Sequence, residues 1–391
     1  MESLLNQGVN PNGFYGNLFP LGVAAAGYDS VNAINAIDLL IKKGADPNLK
    51  NDYGKTALMA SISSNWYWNQ MVTQTLLNKG AQLDQKDNDG DSALMLSIEN
   101  SKALDFLIQS GANVNIQAND GYTALMRAIW QINKEDSSFQ AAFDIILNSK
   151  PNLELEVQPP LSYYDDGVRT ALDLTVRWST STIVSKLLKA GAKTEGSHRS
   201  ALIAAAKADN KYEAADLLIK AGAKINSQDQ YGNTPLIYGV RENRGDSVFN
   251  LILASGASLD IQNNNGDTAL LLAAQEGSTN YKILKLLKAG ANPNIQGKND
   301  ETAMMQISKY GAGNSTLKIW SEFVNAGANL NLQDINGKTI LMMMVDHYPS
   351  AELFIKAGAN VNLRNHEGKT ALGLARKESV RKVLIAAGGI E

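Results

Sequence analysis

Apolar residues fall along this chain in pairs of short blocks. The first block of a pair is apolar at nearly every position, as in Ala201-Leu202-Ile203-Ala204-Ala205-Ala206. The second is interrupted by polar residues at helical spacing, as in Ala214-Ala215-Asp216-Leu217-Leu218-Ile219. A helix that is apolar all round needs cover on every side, whereas an amphipathic helix needs it on one face. The pattern predicts a short buried helix and then a half-exposed one, over and over. Thr or Ser ahead of the first block is an N-cap signal. Pro235 sits at a first helical position, where its missing N–H costs nothing. The second block stops at a glycine such as Gly222, which suits a left-handed C-terminal cap. The polar stretch that follows, for example Gln228-Asp229-Gln230-Tyr231-Gly232, is turn chemistry.

The terminating glycine recurs at Gly44, Gly80, Gly111, Gly191, Gly222, Gly256, Gly290, Gly327, Gly358 and Gly388, and Lys150 holds the place expected between Gly111 and Gly191. The intervals run from 30 to 41 residues and average about 34. Each Gly-Ala step is followed by a second signature, a turn glycine, one residue, then Thr-Ala-Leu or a variant. Gly54-Lys55-Thr56-Ala57-Leu58, Gly121-Tyr122-Thr123-Ala124-Leu125 and Gly232-Asn233-Thr234-Pro235-Leu236 are instances. One such unit cannot bury its apolar face alone, so neighbours must stack.

Period, Gly-Ala-Asx-x-Asn endings and Gly-x-Thr-x-Leu openings together resemble the ankyrin-repeat family, whose period is about 33. The resemblance covers nearly the whole chain in about eleven units. It implies an all-α repeat solenoid of stacked helix-turn-helix repeats with projecting loops or short hairpins. The chain divides into a partial repeat at 1–12 and repeats at 13–48, 49–84, 85–115, 116–154, 155–195, 196–226, 227–260, 261–294, 295–331, 332–362 and 363–391, read as a single domain. Either a stripped-down N-terminal cap stands at 1–12 or a preceding segment was removed. The family's T-P-L-H-x-A signature is eroded here: Thr234-Pro235-Leu236 alone keeps the proline. The histidine position holds Met59, Met95, Met126, Asp173, Ile203, Ile237, Leu271, Met305, Met342 or Gly373. The family's histidine ties successive repeats by hydrogen bonds; apolar packing, much of it by adaptable Met, is expected in its place. The array reads as divergent, of bacterial or symbiont type.

Composition narrows the function classes. The net charge is −3, from 36 basic and 39 acidic residues, which gives no global pull toward nucleic acid or an anionic membrane. There are no cysteines, so disulfides, thiolate catalysis and Cys-ligated zinc are out. That fits cytoplasm, which is favoured, as well as periplasm or secretion. No apolar run approaches the ~20 residues of a spanning helix. The first stretch of chain lacks the basic start of a signal peptide. Three histidines, His198, His347 and His366, lie in different units without metal-ligand spacing. Asp87-Asn88-Asp89-Gly90-Asp91 opens like a calcium loop, but Glu99 falls one place beyond the bidentate position. No phosphate-cradling glycine loop or nucleophile elbow is present. The reading is a non-enzyme with no metal and no cofactor.

Departures from the frame carry the functional information. Units are lengthened at Asn65–Asn69, at Ile132–Ser138 and at Tyr310–Ser315, and a long loop runs through Val157–Asp166. In the family, loop tips and the exposed side of the first helix form the binding face. The central units then present Tyr122, Trp130, Arg169, Arg177, Trp178, Arg199, Lys207, Tyr231 and Arg241, whereas flanking units place Ser63, Glu99, Gln275, Lys309 and Asp346 at the equivalent first-helix site. Trp, Tyr and Arg dominate interface hot spots. The alternative is that Trp130 and Trp178 pack against neighbouring helices. Trp66-Tyr67-Trp68 has three readings: a partner anchor, a plug over the next unit, or a membrane-touching tip. Tyr163 and Tyr164, on a Pro-stiffened loop, are further partner-contact candidates. The expectation is a protein-binding module, monomeric by itself, whose groove takes an acidic or aromatic-bearing protein segment, with no nucleic-acid binding and no membrane insertion. Inhibitor or immunity protein, secreted effector and scaffold are versions of it, and a passive spacer is the competing class.

Overall fold

In the computed structural model, residues 2–27, 29–63, 68–132, 137–157, 170–178, 180–196, 200–208, 211–241, 246–275, 280–309 and 316–391 are described. The local rules read from the sequence set the helix ends. Thr234 Oγ1 accepts the Ile237 amide at 3.2 Å ahead of the Pro235–Gly239 helix, and Thr123 Oγ1 accepts the Met126 amide at 3.3 Å ahead of Ala124–Ile132. Such a cap contributes about 1 kcal/mol. Asp173, at a histidine position of the family, instead closes a capping box: its Oδ2 accepts from the Thr170 amide and hydroxyl at 3.0 and 2.9 Å. The methionines at that position, Met59, Met95, Met126, Met305 and Met342, are buried, as are Ile203, Ile237 and Leu271. Apolar packing occupies the place of the family's histidine at these eight positions, whereas Asp173 is polar and Gly373 is exposed.

The second helices end as their glycines require. After Tyr212–Lys220, the Gly222 amide donates to Ile219 and the Ala223 amide to Leu218, with Gly222 at φ +88°. Both hydrogen bonds of the left-handed terminating motif are thus made. Lys150, the residue standing in for glycine, has the same left-handed conformation at φ +56°.

The contacts separate two compact units, Met1–Lys193 and Thr194–Glu391. In each, first helices pack on first helices of the adjoining repeats and second helices on second helices, as Ala269–Gln275 packs on Ala303–Ser308 and Ser101–Gln109 on Ser137–Asn148. Each unit is an all-α repeat solenoid. Among the described residues there is no strand. Isolated antiparallel bridges close hairpin necks, Lys86 with Ser92 and Gln296 with Thr302. The core of the first unit runs through Ile37, Leu76, Leu104 and Phe143; that of the second through Leu218, Phe249, Trp320 and Phe354. Truncating any of these aliphatic residues to Ala costs about 2–5 kcal/mol.

A polar spine accounts for the Asn that ends most Gly-Ala-Asx-x-Asn motifs, and for the Asp or Glu that takes its place in the others. In the first unit Asn12 Oδ1 accepts the Asp46 amide at 2.8 Å, Asn48 that of Gln82 at 2.7 Å, Asp84 that of Asn113 at 2.9 Å, Asn115 that of Asn152 at 2.7 Å and Glu154 that of Lys193 at 2.9 Å. In the second the same bond runs from Glu195 to Lys224, Asn226 to Ser258, Asp260 to Asn292, Asn294 to Asn329, Asn331 to Asn360 and Asn362 to Ile390, at 2.6–3.1 Å. Each repeat therefore satisfies a backbone donor of the next. Residues 1–12 take part as a repeat end, with Asn12 also donating to the Gly44 carbonyl at 2.9 Å.

Candidate functional site

The hairpin tips are shaped by an Asx residue that accepts two backbone amides. Asp87 Oδ1 accepts from Asp89 and Asp91, and Asp229 Oδ1 from Tyr231 and Asn233, each within 3.0 Å. Acidic residues at tips thus have a local structural duty, which explains the false calcium-loop start at Asp87. Tips also stack, the Asn119 amide donating to the Asp89 carbonyl at 3.0 Å and the Asn264 amide to Tyr231 at 3.0 Å. The stacked tips and the first helices frame the candidate surface in each unit.

In the first unit this surface holds a pocket of about 280 Å³ lined by Asp120, Tyr122, Arg127, Trp130 and Gln131. It joins Tyr122, from the turn, to Trp130, in the Ala124–Ile132 helix, two of the residues expected from the frame. Trp130 is 47% exposed. Arg127 was not singled out by sequence reasoning. Its guanidinium lies 3.0 Å from Asp120 Oδ2 and 2.9 Å from Asp91 Oδ1, bridging the tips of two successive repeats. The contact to Asp91 is an ion pair without hydrogen-bond geometry. One cation therefore serves two carboxylates. Burial raises the Asp91 carboxyl above its ordinary value; Arg127 opposes this, and Asp87, Asp120 and Asp89 add to it. The Tyr122 phenol is also raised, by burial first and Asp120 second. Gln131 Oε1 and Arg127 Nε are buried with no hydrogen-bond partner among the described residues.

In the second unit Lys207 and Arg241, both expected from the frame, converge on a residue that sequence reasoning missed. Tyr238 lies 5% exposed in the Pro235–Gly239 helix. Lys207 Nζ sits 4.5 Å from its ring centroid and the Arg241 guanidinium carbon 5.2 Å. The Tyr238 hydroxyl donates to Asp229 Oδ2 at 2.7 Å and accepts from Asn233 Nδ2 at 3.2 Å. Lys207 reaches the same Asp229 oxygen at 3.6 Å. Burial, then the hydrogen bond to Asp229, pushes the phenol up to about 12. Tyr231, 56% exposed, stands on the tip above. Further along this unit, Gln275 donates to Asp267 at 2.9 Å and Lys309 pairs with Glu301 at 2.5 Å. The first-helix polar residues here are tied to turn acids.

The remaining expected residues are distributed differently. Trp68 donates from Nε1 to Thr73 Oγ1 at 3.0 Å and lies 5.6 Å from the Phe106 ring of the next repeat. Its geometry is that of a packing plug. Arg177 is half-buried in the Ala171–Trp178 helix. Trp66, Tyr163, Tyr164, Arg169 and Arg199 lie outside the described residues, as does the side chain of Trp178. The His347 ring shares a hydrogen bond with Ser350 Oγ at 2.8 Å and His366 belongs to a stacked tip. Among the described residues no cluster of His, Asp or Glu is arranged to hold a metal ion, and no helix is long and apolar enough to cross a membrane.

A family model described as ankyrin repeats (three copies) matches residues 21–118, 66–154, 172–249 and 240–318. Among solved structures, the chain is similar to the ankyrin repeat domain of Bcl-3, described as a unique member of the IkappaB protein family, with 23% identity and a TM-score of 0.47 over 55% of this chain and 97% of that one. It is also similar to the human ASB11 ankyrin repeat domain, with 21% identity and a TM-score of 0.44 over 62% of this chain and 99% of that one. No curated protein matches the chain.

Proposed function

Because the chain belongs to the ankyrin-repeat family, whose members are generally protein–protein interaction modules, we propose that it is a non-catalytic module that binds a partner protein on the face formed by its first helices and hairpin tips. The observation that carries this is the Trp130 pocket. An indole left 47% exposed beside a tyrosine, over a cavity of about 280 Å³, is an anchor site of the hot-spot kind. A passive spacer has no need of one. The preformed backbone, held repeat to repeat by the Asn spine, keeps the ordering cost of binding low.

In the second unit, Lys207 and Arg241 against Tyr238 favour an acidic or aromatic segment of the partner. Inhibitor, immunity protein and secreted effector are versions of this reading that differ in the identity of the partner. The test is selection of a displayed random-peptide library on the full chain. Peptides enriched on the wild type should lose about tenfold in affinity on Trp130→Ala or on the Lys207→Ala, Arg241→Ala pair. Equal binding by wild type and both variants would refute the assigned face.

A further inference from the structure

We propose that the Tyr122–Trp130 pocket is a receptor for an arginine side chain carried by the partner, a reading that rests on the interaction function above. Three independent features of the pocket select that occupant.

The first is charge. Arg127 stands between Asp91 and Asp120, so the three groups together carry an excess of one negative charge when ionised. Asp87 and Asp89, on the adjoining tip, add to the acidic field at Asp91. An incoming cation completes the balance, whereas an anion meets repulsion from both tips. The second is the aromatic lining. Tyr122 and the half-exposed Trp130 both face the cavity, and an indole face is the best aromatic partner for a cation. The third is an acceptor in want of a donor. Gln131 lines the pocket, and its Oε1 is buried with no hydrogen-bond partner among the described residues; a turn of the side chain brings that oxygen to the cavity. A buried acceptor in that condition is costly until a donor arrives.

These features together distinguish arginine from lysine. A guanidinium lies flat on an indole, and its rigid fork donates in several directions at once, here to the Asp120 carboxylate and, once the Gln131 side chain turns inward, to its Oε1. An ammonium is a compact, strongly hydrated charge that matches the ring and the acid less well. The size also fits a side chain: about 280 Å³ lies below the range of roughly 300–1,000 Å³ typical of sites for drug-sized ligands.

The test uses N-acetyl-arginine amide, its uncharged citrulline analogue and N-acetyl-lysine amide, titrated against the full chain and followed by saturation-transfer NMR. The arginine probe is expected to bind about tenfold more tightly than the citrulline probe, and more weakly as salt rises, because the Asp120 side chain is 49% exposed. Trp130→Ala and Asp120→Asn should each weaken it by about fivefold or more. Both positions are exposed, so both variants should remain folded, which thermal unfolding of each checks. Equal binding of arginine and citrulline probes overturns the proposal, and so does lysine binding as tightly as arginine. Arginine binding that survives both substitutions overturns the placement. Library peptides that depend on Trp130 yet carry no arginine would sink the arginine assignment while leaving the interaction module standing. Peptides indifferent to Trp130 would sink the anchor itself.

Discussion

Two repeats of this chain carry an arginine and an aromatic ring in opposite order, in the first helix or just past its end. After the cap Thr123, Arg127 comes four residues on and Trp130 seven; after Thr234, Tyr238 comes four on and Arg241 seven. The outcomes differ sharply. At the nearer position Arg127 is held between Asp91 and Asp120, and Tyr238 is 5% exposed with its hydroxyl on Asp229. At the farther position Trp130 is 47% exposed over a pocket and Arg241 lies against the Tyr238 ring. In both repeats the nearer residue reaches the turn carboxylates, and the farther one is an exposed ring in the first and a cation against a buried ring in the second. Leu272 and Gln306, also four past their caps, are buried too. The same pair of residue types therefore lines a candidate site in one order and, in the other, holds a buried ring as a structural strut.

The largest effect that separates the two follows from truncating the rings. Tyr238→Ala should cost about 3–5 kcal/mol, because it removes a buried ring and the hydroxyl donor of Asp229. Trp130→Ala should cost less than about 1 kcal/mol, because its ring is half in water. Denaturant unfolding of both variants measures this. Comparable losses would erase the distinction between strut and site.

Alkaline pH gives a second, smaller separation. The phenol of Tyr238 sits at about 12 in the fold against an ordinary 10.0. Above pH 10 the unfolded chain releases this proton while the folded chain keeps it. The unfolded state then binds fewer protons, so stability falls as pH rises. The contribution is whole below pH 10 and is lost progressively up to about pH 12, by about 3 kcal/mol in all. Tyr238→Phe lacks the group. The gap in stability between wild type and Tyr238→Phe should therefore shift against the wild type across this window. A gap that stays constant would show that Tyr238 titrates like an exposed phenol.

The fold was legible wherever the backbone dictates the residue. Left-handed positions ask for glycine, so Gly222 and its counterparts could be read directly, and register alone placed Lys150 at the same conformation. The closing Asn of most motifs was legible as a pattern, but its bond to the next repeat, such as Asn48 to Gln82, was not. That bond joins residues a full period apart, and only stacking reveals it. The site was legible in part for the same reason. Tyr122, Trp130, Lys207 and Arg241 followed from the frame. Arg127 and Tyr238 did not, because the frame marks the position seven past the cap and theirs is four past it. Their roles depend on carboxylates presented by tips, Asp91 and Asp120 for one and Asp229 for the other, in places that composition does not reveal. The signal was present in the four-residue step from each capping Thr.

The repeats bearing the two helices also end differently, and this gives the smallest separation. The second helix of the pocket-bearing repeat, Ser137–Asn148, is terminated by Lys150 at φ +56°, and that of the Tyr238 repeat, Asp246–Ala254, by Gly256 at φ +83°. An L-residue in the left-handed region is strained by about 1–2 kcal/mol, of which glycine's larger unfolded-state entropy offsets a part. Lys150→Gly should therefore stabilise the chain by about 0.5–1 kcal/mol. Gly256→Ala should destabilise it by a similar amount, because no neighbouring atom lies within 4 Å of the added Cβ and the conformational strain is all that it adds. Lys150→Ala, which keeps a Cβ, should change little. Hydrogen exchange localises the effect: amides near the end of Ser137–Asn148 should open more readily than those near the end of Asp246–Ala254, and Lys150→Gly should narrow that difference. If Lys150→Gly leaves both stability and exchange unchanged, the lysine side chain must compensate the strain by contacts of its own, and the two helix ends are equivalent after all.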